Sequence, residues 1–338
     1  MSQLIDSLGR PIRYLRVSVT DRCNLRCRYC VPSSEFVPLS HGQIISYEEI
    51  QRLVRILAPG GVSSIRITGG EPLVRKHLDR LVRGLSRIPG IRDISLTTNG
   101  FLLTDFAGTL KKAGLYRVNI SLDTLREDRF TWITGPEGKR NPGGIDRVLS
   151  GIDEARRTGL SPLKINVVLI RGFNDDELVD FASMTRDQPY EVRFIEFMPM
   201  SAEGFWGPEK VVPAAEAIGR LETVHGSLTH LGRCEGSGPA ICYQVPGYKG
   251  TLGFITPVSQ HFCVECNRIR ITSDGKLRTC LFSDREQDIL GPMRSGASDV
   301  EILRIIQDAL AEKPEGHGMG KEEGKVPECA RTMSHIGG

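Results

Sequence analysis

The sequence has no apolar run approaching the 18 to 20 residues, roughly, that are needed to cross a bilayer. Its first ten residues, MSQLIDSLGR, are polar and lack the apolar core of a signal peptide. Positive charge is barely in excess, because 44 Lys and Arg are opposed by 41 Asp and Glu. We therefore expect a cytoplasmic protein that binds neither membranes nor nucleic acid in general, which leaves room for a local basic pocket.

The nine cysteines do not suit a disulfide framework, because their number is odd and six of them are clustered. The two groups are Cys23, Cys27 and Cys30 near the start, and Cys263, Cys266 and Cys280 near the end. Thiols in the cytosol stay reduced. Both groups are therefore interpreted first as metal ligands.

The first two-thirds of the chain alternate between strand and helix patterns. Strand patterns cover 13–20, 63–70, 91–100, 116–124, 163–172 and 190–200, and helix patterns cover 46–58, 77–88, 103–114, 144–159 and 176–187. This alternation indicates parallel strands joined by helical crossovers. Because no GxGxxG opens the first helix, a dinucleotide-binding sheet is disfavoured. We predict an α/β fold in which residues 1–204 form a partial TIM-like (β/α)6 barrel.

The alternation ends near residue 205, and residues 205–338 are predicted to form a C-terminal extension. Short β-like pieces are centred on 254–282, and 298–314 is typical of a helix. In parallel α/β folds, chemistry gathers at the carboxyl ends of strands. The unusual segments of this chain fall there, namely the first cysteine group, TGGEP, TTNG, SLDT and EFMPM.

The first cysteine group has the spacing Cx3Cx2C. Three small residues on a buried helix face would give the same spacing, but the arginines between them and Pro32 argue against such a helix. A structural zinc site needs a fourth ligand, and no histidine or further cysteine lies nearby in sequence. In a [4Fe–4S] cubane, three cysteines leave one iron open for a small molecule.

This group, with Tyr29 before its last cysteine, resembles the signature of radical S-adenosylmethionine enzymes. The resemblance implies that S-adenosylmethionine binds the open iron and is cleaved to a 5′-deoxyadenosyl radical. It also implies that Tyr29, Gly70 of TGGEP, Ser121 and Met198 contact this cofactor. Without the cysteine group, TGGEP would be an ordinary turn.

The second group has the spacing Cx2Cx13C. From spacing alone it suits a zinc knuckle, with His261, Cys234, Cys242 or Cys329 as the fourth ligand. Its surroundings, CNRIRITSDGKLRTCLF, resemble the C-terminal region of GTP 3′,8-cyclases, as do RITGGEPL, RFIEFMPM and other motifs along nearly the whole chain. The resemblance implies a second [4Fe–4S] cluster whose open iron contacts the purine of GTP.

Arginine alternates with apolar residues in LRVSV, IRIT and NRIRIT, so one face of each strand projects cations. Inside a barrel these cations need an anion, and arginine suits phosphate because of its planar fork. The resemblance implies that the GTP contacts are Arg16, Arg66, Thr97, Lys164, Arg268, Ile269 and Arg270.

By resemblance, the chain is expected to convert GTP to (8S)-3′,8-cyclo-7,8-dihydroguanosine 5′-triphosphate in molybdenum cofactor biosynthesis. Expected partners are an unidentified electron donor, a second copy in a homodimer, and cyclic pyranopterin monophosphate synthase downstream. The Gly337-Gly338 end is either frayed or inserted in the active site. Two alternatives stay open: a two-cluster radical enzyme that modifies a peptide, and a zinc-binding interaction module.

Overall fold

The computed structural model describes residues 3–30, 37–135, 143–200, 204–234, 238–316, 331 and 333–337. Its strands are β1 (Tyr14–Ser18), β2 (Ser64–Thr68), β3 (Asp93–Thr98), β4 (Arg117–Ser121), β5 (Leu163–Leu169), β6 (Glu191–Glu196), β7 (Thr229–Arg233), β8 (Ile241–Gln244), β9 (Thr251–Ile255), β10 (Arg268–Ile271), β11 (Lys276–Arg278) and β12 (Gln287–Asp288). Its helices are α1 (Tyr47–Leu57), α2 (Leu78–Ser86), α3 (Leu103–Ala113), α4 (Glu127–Ile133), α5 (Gly144–Arg157), α6 (Leu178–Ser183), α7 (Ala214–His225), α8 (Leu290–Arg294), α9 (Asp299–Ala311) and α10 (Met333–Ile336).

The described strands form one sheet in the order β12-β11-β10-β1-β2-β3-β4-β5-β6-β9-β8-β7. Strands β1 to β6 are parallel neighbours joined by helices, so the predicted partial (β/α)6 barrel is confirmed. The C-terminal region extends both edges of this sheet. Strand β10 pairs parallel to β1, and β9 pairs parallel to β6.

One face of each barrel strand packs against the helices and the other faces the barrel interior, because successive side chains point to opposite sides. On β1, Leu15 and Val17 join the apolar core beneath the helices, where Leu53 and Val54 of α1 are also buried. Burying each of these side chains stabilises the fold by about 1.5–3 kcal/mol. The alternate positions, Tyr14 and Arg16, line an internal cavity.

Local signals place the helices. The predicted capping box of α1 is present, since Ser46 accepts a hydrogen bond from the Glu49 amide and the Glu49 carboxylate accepts one from the Ser46 amide. Helix α9 repeats the device with Ser298 and Glu301. The helix predicted at 176–187 is shorter, since α6 follows a single 3-10 turn, and α4 and α7 were not predicted. None of the described helices is long and apolar enough to cross a membrane.

One expectation about cysteine is wrong. Cys234 and Cys242 are not reduced thiols but form a disulfide that joins the residue after β7 to the second residue of β8. The antiparallel pairing of β7 with β8 brings the two sulfurs together. The sequence did not reveal this pairing, so the disulfide was not predicted. Neither cysteine is therefore available as a fourth ligand for the second group.

The turn after β2 approaches the loop after β1 closely enough that it needs glycine. The amide of Gly70 donates to the carbonyl oxygen of Thr20 at 2.7 Å, and the Glu71 amide donates to the Arg22 oxygen at 2.8 Å. A Cβ on Gly70 would lie 2.4 Å from the Arg22 oxygen, which is a clash with backbone. Glycine at this position therefore holds the first cysteine loop against the barrel.

Gly70→Ala is expected to lower the free energy of unfolding by about 1–3 kcal/mol, because the added methyl group must displace backbone. Urea unfolding monitored by circular dichroism measures the change. The matched control is Gly219→Ala on the exposed face of α7, where a Cβ meets nothing within 4 Å. That variant should gain about 1 kcal/mol. Equal effects at the two positions would contradict the close-approach explanation.

Candidate active site

A cavity of about 290 Å³ opens at the carboxyl ends of the barrel strands. Its walls come from the first cysteine loop, from the strand ends of β2 to β6, and from β9 and β10 of the C-terminal region. The predicted site residues that line it are Arg16, Cys23, Cys27, Tyr29, Cys30, Arg66, Gly70, Thr97, Ser121, Met198, Arg268 and Arg270. The fold thus brings both halves of the predicted site to one space.

The loop after β1 holds the first cysteine group in place through its backbone. The amides of Arg26 and Arg28 each donate at 2.9 Å to carbonyl oxygens at the end of α4, and the Cys30 amide donates to the Cys27 oxygen at 2.9 Å. The sulfur of Cys23 accepts from the Leu25 amide at 3.4 Å and lies 3.8 Å from the side-chain nitrogen of Asn99. These contacts present the three sulfurs to the cavity.

The thiols of this group are poorly acidic while no metal is bound. Burial raises the pKa of Cys23 and Cys30 to about 12 and that of Cys27 well above its usual value, and the sulfurs repel one another as thiolates. A bound metal replaces these protons, since the thiolate is the ligand. Without a metal, the group therefore stays protonated.

The spacing of the sulfurs argues against zinc at either group. Tetrahedral thiolates at 2.3 Å from one Zn²⁺ lie about 3.8 Å apart. Among the described residues, one trio of potential ligand atoms lies mutually within 4.8 Å, and it consists of Glu191 and the disulfide-bonded Cys234 and Cys242. Neither cysteine group is that compact. A cubane attaches each sulfur to a different iron, so its cysteine sulfurs lie farther apart than those that share one zinc ion.

The predicted S-adenosylmethionine contacts surround the first group. The Tyr29 hydroxyl donates to the Asp123 carboxylate at 2.6 Å, and burial raises the pKa of Asp123 to about 6. Glu71 accepts from the Thr98 hydroxyl and the Asn99 amide, at 2.8 and 2.7 Å, which joins the TGGEP turn to β3. Burial raises the pKa of Glu71 to about 7 despite these donors.

Two buried amide oxygens in the cavity wall have no hydrogen-bond donor among the described residues. They are Oδ1 of Asn119 on β4 and Oδ1 of Asn166 on β5. A buried acceptor without a donor costs about 1–3 kcal/mol. The hydroxyl groups of a nucleoside supply such donors, so this wall fits the ribose of a nucleoside cofactor.

Three arginines form a row across adjacent strands. Arg16 on β1 is in register with Arg270 on β10 and with Arg66 on β2. Burial, followed by repulsion from Arg270, lowers the pKa of Arg16 well below its usual value. Burial, followed by repulsion from Arg268, lowers the pKa of Arg270 to about 10. A multiply charged anion at this arginine row would relieve both costs.

Tyr14 contributes to this electrostatic environment and was not predicted from sequence. Its hydroxyl accepts a hydrogen bond from Nε of Arg66. Burial raises its pKa, but Arg66 and Arg16 outweigh burial, so the net pKa of Tyr14 is lowered. Its position two residues before Arg16 on the same strand face was the available signal.

Two predicted GTP contacts do not line the cavity. Lys164 is fully buried and its ammonium donates to the Glu191 carboxylate at 2.8 Å, while Ile269 points to the opposite face of β10 and joins the core. Burial lowers the pKa of Lys164 to about 8. Glu191 also binds Arg193, which does line the cavity and was missed. The alternating pattern VRFIEF on β6 could have identified Arg193, since it matches LRVSV on β1.

The second cysteine group lies just beyond the cavity wall. Cys263 and Cys266 flank a single 3-10 turn, in which the Cys266 amide donates to the Cys263 oxygen at 3.0 Å, and Cys280 follows β11. Their neighbours Phe262, Arg268 and Leu281 form the wall itself. Burial raises the pKa of Cys266, but the charges of Arg268 and Lys313 outweigh it and lower this pKa to about 7.

The chain end reaches the arginine row. The carbonyl oxygen of Gly337 accepts from Nη1 of Arg270 at 3.1 Å, and Met333 of α10 lines the cavity. A Cβ on Gly337 would lie 2.4 Å from the Thr68 hydroxyl oxygen, so a glycine fits this position. Of the two interpretations of the tail, frayed or inserted, the structure shows insertion at Gly337. Gly338 lies outside the described residues.

Two family models together match most of the chain. The family model described as the Radical SAM superfamily matches residues 17–185, and the one described as Molybdenum Cofactor Synthesis C matches residues 190–319. Among solved structures, anSMEcpe with bound AdoMet has a TM-score of 0.58 at 15% identity, over 94% of this chain and 81% of that one. SuiB of Streptococcus suis has a TM-score of 0.52 at 18% identity, over 83% of this chain and 64% of that one. These two likenesses concern the fold alone.

Curated relatives are much closer in sequence. The GTP 3′,8-cyclase of Moorella thermoacetica is 49% identical over 98% of this chain and 99% of its own length. That of Pelotomaculum thermopropionicum is also 49% identical over 98% of this chain and 99% of its own length, and that of Thermodesulfovibrio yellowstonii is 48% identical with the same coverage. The chain belongs to the radical SAM superfamily and, within it, to the GTP 3′,8-cyclase family.

Proposed function

We propose that this chain converts GTP to (8S)-3′,8-cyclo-7,8-dihydroguanosine 5′-triphosphate by radical chemistry, as an early step of molybdenum cofactor biosynthesis. The observation that carries the proposal is the arginine row of Arg270, Arg16 and Arg66, which lines the same cavity as the first cysteine group. A site for a radical-forming cofactor and a site for a polyphosphate would thus share one cavity.

The cofactors are two [4Fe–4S] clusters and S-adenosylmethionine, and the described residues fit them. Cys23, Cys27 and Cys30 would hold one cluster, and Tyr29, Gly70, Ser121 and Met198 would hold the S-adenosylmethionine. When bound, these two groups supply the 5′-deoxyadenosyl radical that abstracts hydrogen from the substrate. The chain's own residues orient the cofactor, since Asn119 and Asn166 offer acceptors, and Phe197 and Met198 exclude water from one wall.

The substrate's triphosphate would lie on the arginine row. Arg16, Arg66, Arg268 and Arg270 donate parallel hydrogen bonds to phosphate oxygens, and Thr97 extends the row on β3. Lys164 does not line the cavity but pairs with Glu191, and Glu191 in turn pairs with Arg193 and orients it toward the cavity. Because the Ile269 side chain is buried in the core, only its main chain could contact GTP. Fixing the phosphates holds the ribose and purine in one geometry, which suits an intramolecular ring closure.

The purine would lie toward the second group. Cys263, Cys266 and Cys280 would provide three thiolates for the second cluster, which would supply an open iron for the purine. Phe262 and Leu281, beside Cys263 and Cys280, supply an apolar wall for the purine ring. The two groups would then bind two different molecules, one at each end of the cavity.

Domain organisation and partners extend this proposal. Residues 1–204 would be the radical S-adenosylmethionine barrel and 205–338 the region that completes the substrate site, although one sheet runs through both. A cytoplasmic location, a homodimer, an unidentified electron donor and cyclic pyranopterin monophosphate synthase as the next enzyme are proposed from the family.

The direct test adds GTP to anaerobically reconstituted, reduced protein with S-adenosylmethionine. The expected result is 5′-deoxyadenosine formation that depends on GTP, together with the cyclised nucleotide, both measured by liquid chromatography with mass spectrometry. ATP is the matched control, since it carries the same triphosphate on a different base. Formation of 5′-deoxyadenosine at the same rate with and without GTP would refute the assignment.

Cys280→Ser is expected to abolish GTP conversion while leaving S-adenosylmethionine binding largely intact, because only the second cluster loses a ligand. Iron analysis and equilibrium binding of S-adenosylmethionine measure the two effects. Cys30→Ser is the reciprocal variant and should lose S-adenosylmethionine binding. Parallel loss of both activities in both variants would argue against two separable centres.

Arg270→Gln is expected to raise KM for GTP about tenfold or more, because a buried charge-assisted hydrogen bond contributes about 1.5–3 kcal/mol. S-adenosylmethionine binding should not change. Arg285→Gln is the control, since that side chain is 76% exposed and pairs with Glu312 outside the cavity. An unchanged KM in Arg270→Gln would remove the arginine row from the substrate site.

A further inference from the structure

Lys313, two residues beyond the end of α9, is 4% exposed and lies against the second cysteine group. Its ammonium nitrogen is 3.5 Å from the sulfur of Cys266 and donates at 3.0 Å to the Arg268 carbonyl oxygen. It also donates to the carbonyl oxygen of Thr279, the residue before Cys280. The three donors of an ammonium group thus meet three acceptors, on the two segments that carry Cys266 and Cys280.

The third cysteine of the group is held by a second buried cation. Arg10 donates through Nη1 to the Cys263 carbonyl oxygen at 2.8 Å and through Nη2 to the Pro314 oxygen at 2.8 Å. Asp6 pairs with Arg10 and orients it. Arg10 therefore joins the Cys263 turn to the segment that carries Lys313, so the last helix, the N-terminal turn and all three cysteines form one connected unit.

The two cysteine groups differ in the donors that contact their sulfurs directly, although the charge of Arg26 also acts on Cys23 and Cys30. The contacts to Cys23 come from neutral donors, namely the Leu25 amide and the Asn99 side chain. At Cys266 the donor is a full positive charge, buried where water screens it little. Net charge and hydrogen bonds to sulfur are the terms by which a protein sets the reduction potential of an iron–sulfur cluster.

We propose that Lys313 is a positioning residue for the cluster at Cys263, Cys266 and Cys280: it joins the segments that carry Cys266 and Cys280 before iron arrives and makes the bound cluster easier to reduce. The inference rests on the proposed function for the existence of that cluster. Lys313 acts through Cys266 and through backbone, so it is separate from the residues that contact GTP. Its positive charge stabilises the additional electron of the reduced cluster.

The experiment isolates the second cluster by replacing Cys23, Cys27 and Cys30 with alanine in the full chain. In this background, Lys313→Met removes the charge and the donors, Lys313→Gln removes the charge but keeps an amide donor, and Lys313→Arg keeps the charge. Lys276→Met on β11 is the matched control, since Lys276 pairs with Glu286 at the surface. Reduction potential is measured by titration followed by electron paramagnetic resonance, and iron release by its transfer to a chelator.

Lys313→Met and Lys313→Gln are expected to shift the potential to more negative values and to release iron about tenfold faster or more, as for other residues that orient metal ligands. Lys313→Arg should fall closer to the parent, and Lys276→Met should match it. If Lys313→Met fails to fold, Lys313→Gln supplies the measurement. An unchanged potential and release rate would overturn the role of Lys313. A parent background that binds no iron would instead overturn the second cluster of the proposed function.

Discussion

The rest of the structure depends on repulsion among buried guanidinium groups. Arg270, Arg16 and Arg66 occupy one register of three adjacent strands, so their side chains emerge on one face at the sheet spacing of about 4.8 Å. Without an anion this arrangement opposes folding, and the depressed pKa of Arg16 shows the cost. The apolar core must offset this cost. It lies on the outward faces of the same strands and includes Leu15, Val17 and their neighbours.

The C-terminal region completes the cationic wall of the cavity. Strand β10 brings Arg268 and Arg270 to the free edge of β1, and the turn before it carries Cys263 and Cys266. Strand β9 covers the other barrel edge beside β6, where Arg193 faces the cavity. Arg268, Arg270 and the second cysteine group are therefore parts of one sheet extension, and Lys313 and Arg10 fasten that extension to the helices and to the N-terminal turn.

Much of the fold could be predicted from the sequence, because the spacing of apolar and charged residues along the chain distinguishes strands from helices. The alternation of strand and helix patterns gave the parallel barrel, and charges inside strand patterns gave most of the cationic wall. What sequence did not reveal depends on pairing between distant strands: the bond of Lys164 to Glu191, the disulfide between Cys234 and Cys242, and the contacts of Lys313. Asn119 and Asn166 were missed because an amide in a strand looks ordinary until its oxygen is found without a donor.

The pairing of β1 with β10 also governs how the chain can fold during synthesis. Leu15 lies beside Ile269, so the first strand waits for a partner that emerges from the ribosome some 250 residues later. Until then β1 presents an unpaired edge, which is a template for aggregation. Arg16 in the middle of that edge is an inward-pointing charge of the kind that discourages such mispairing. The residue proposed to contact phosphate in the folded protein would thus also protect the nascent chain.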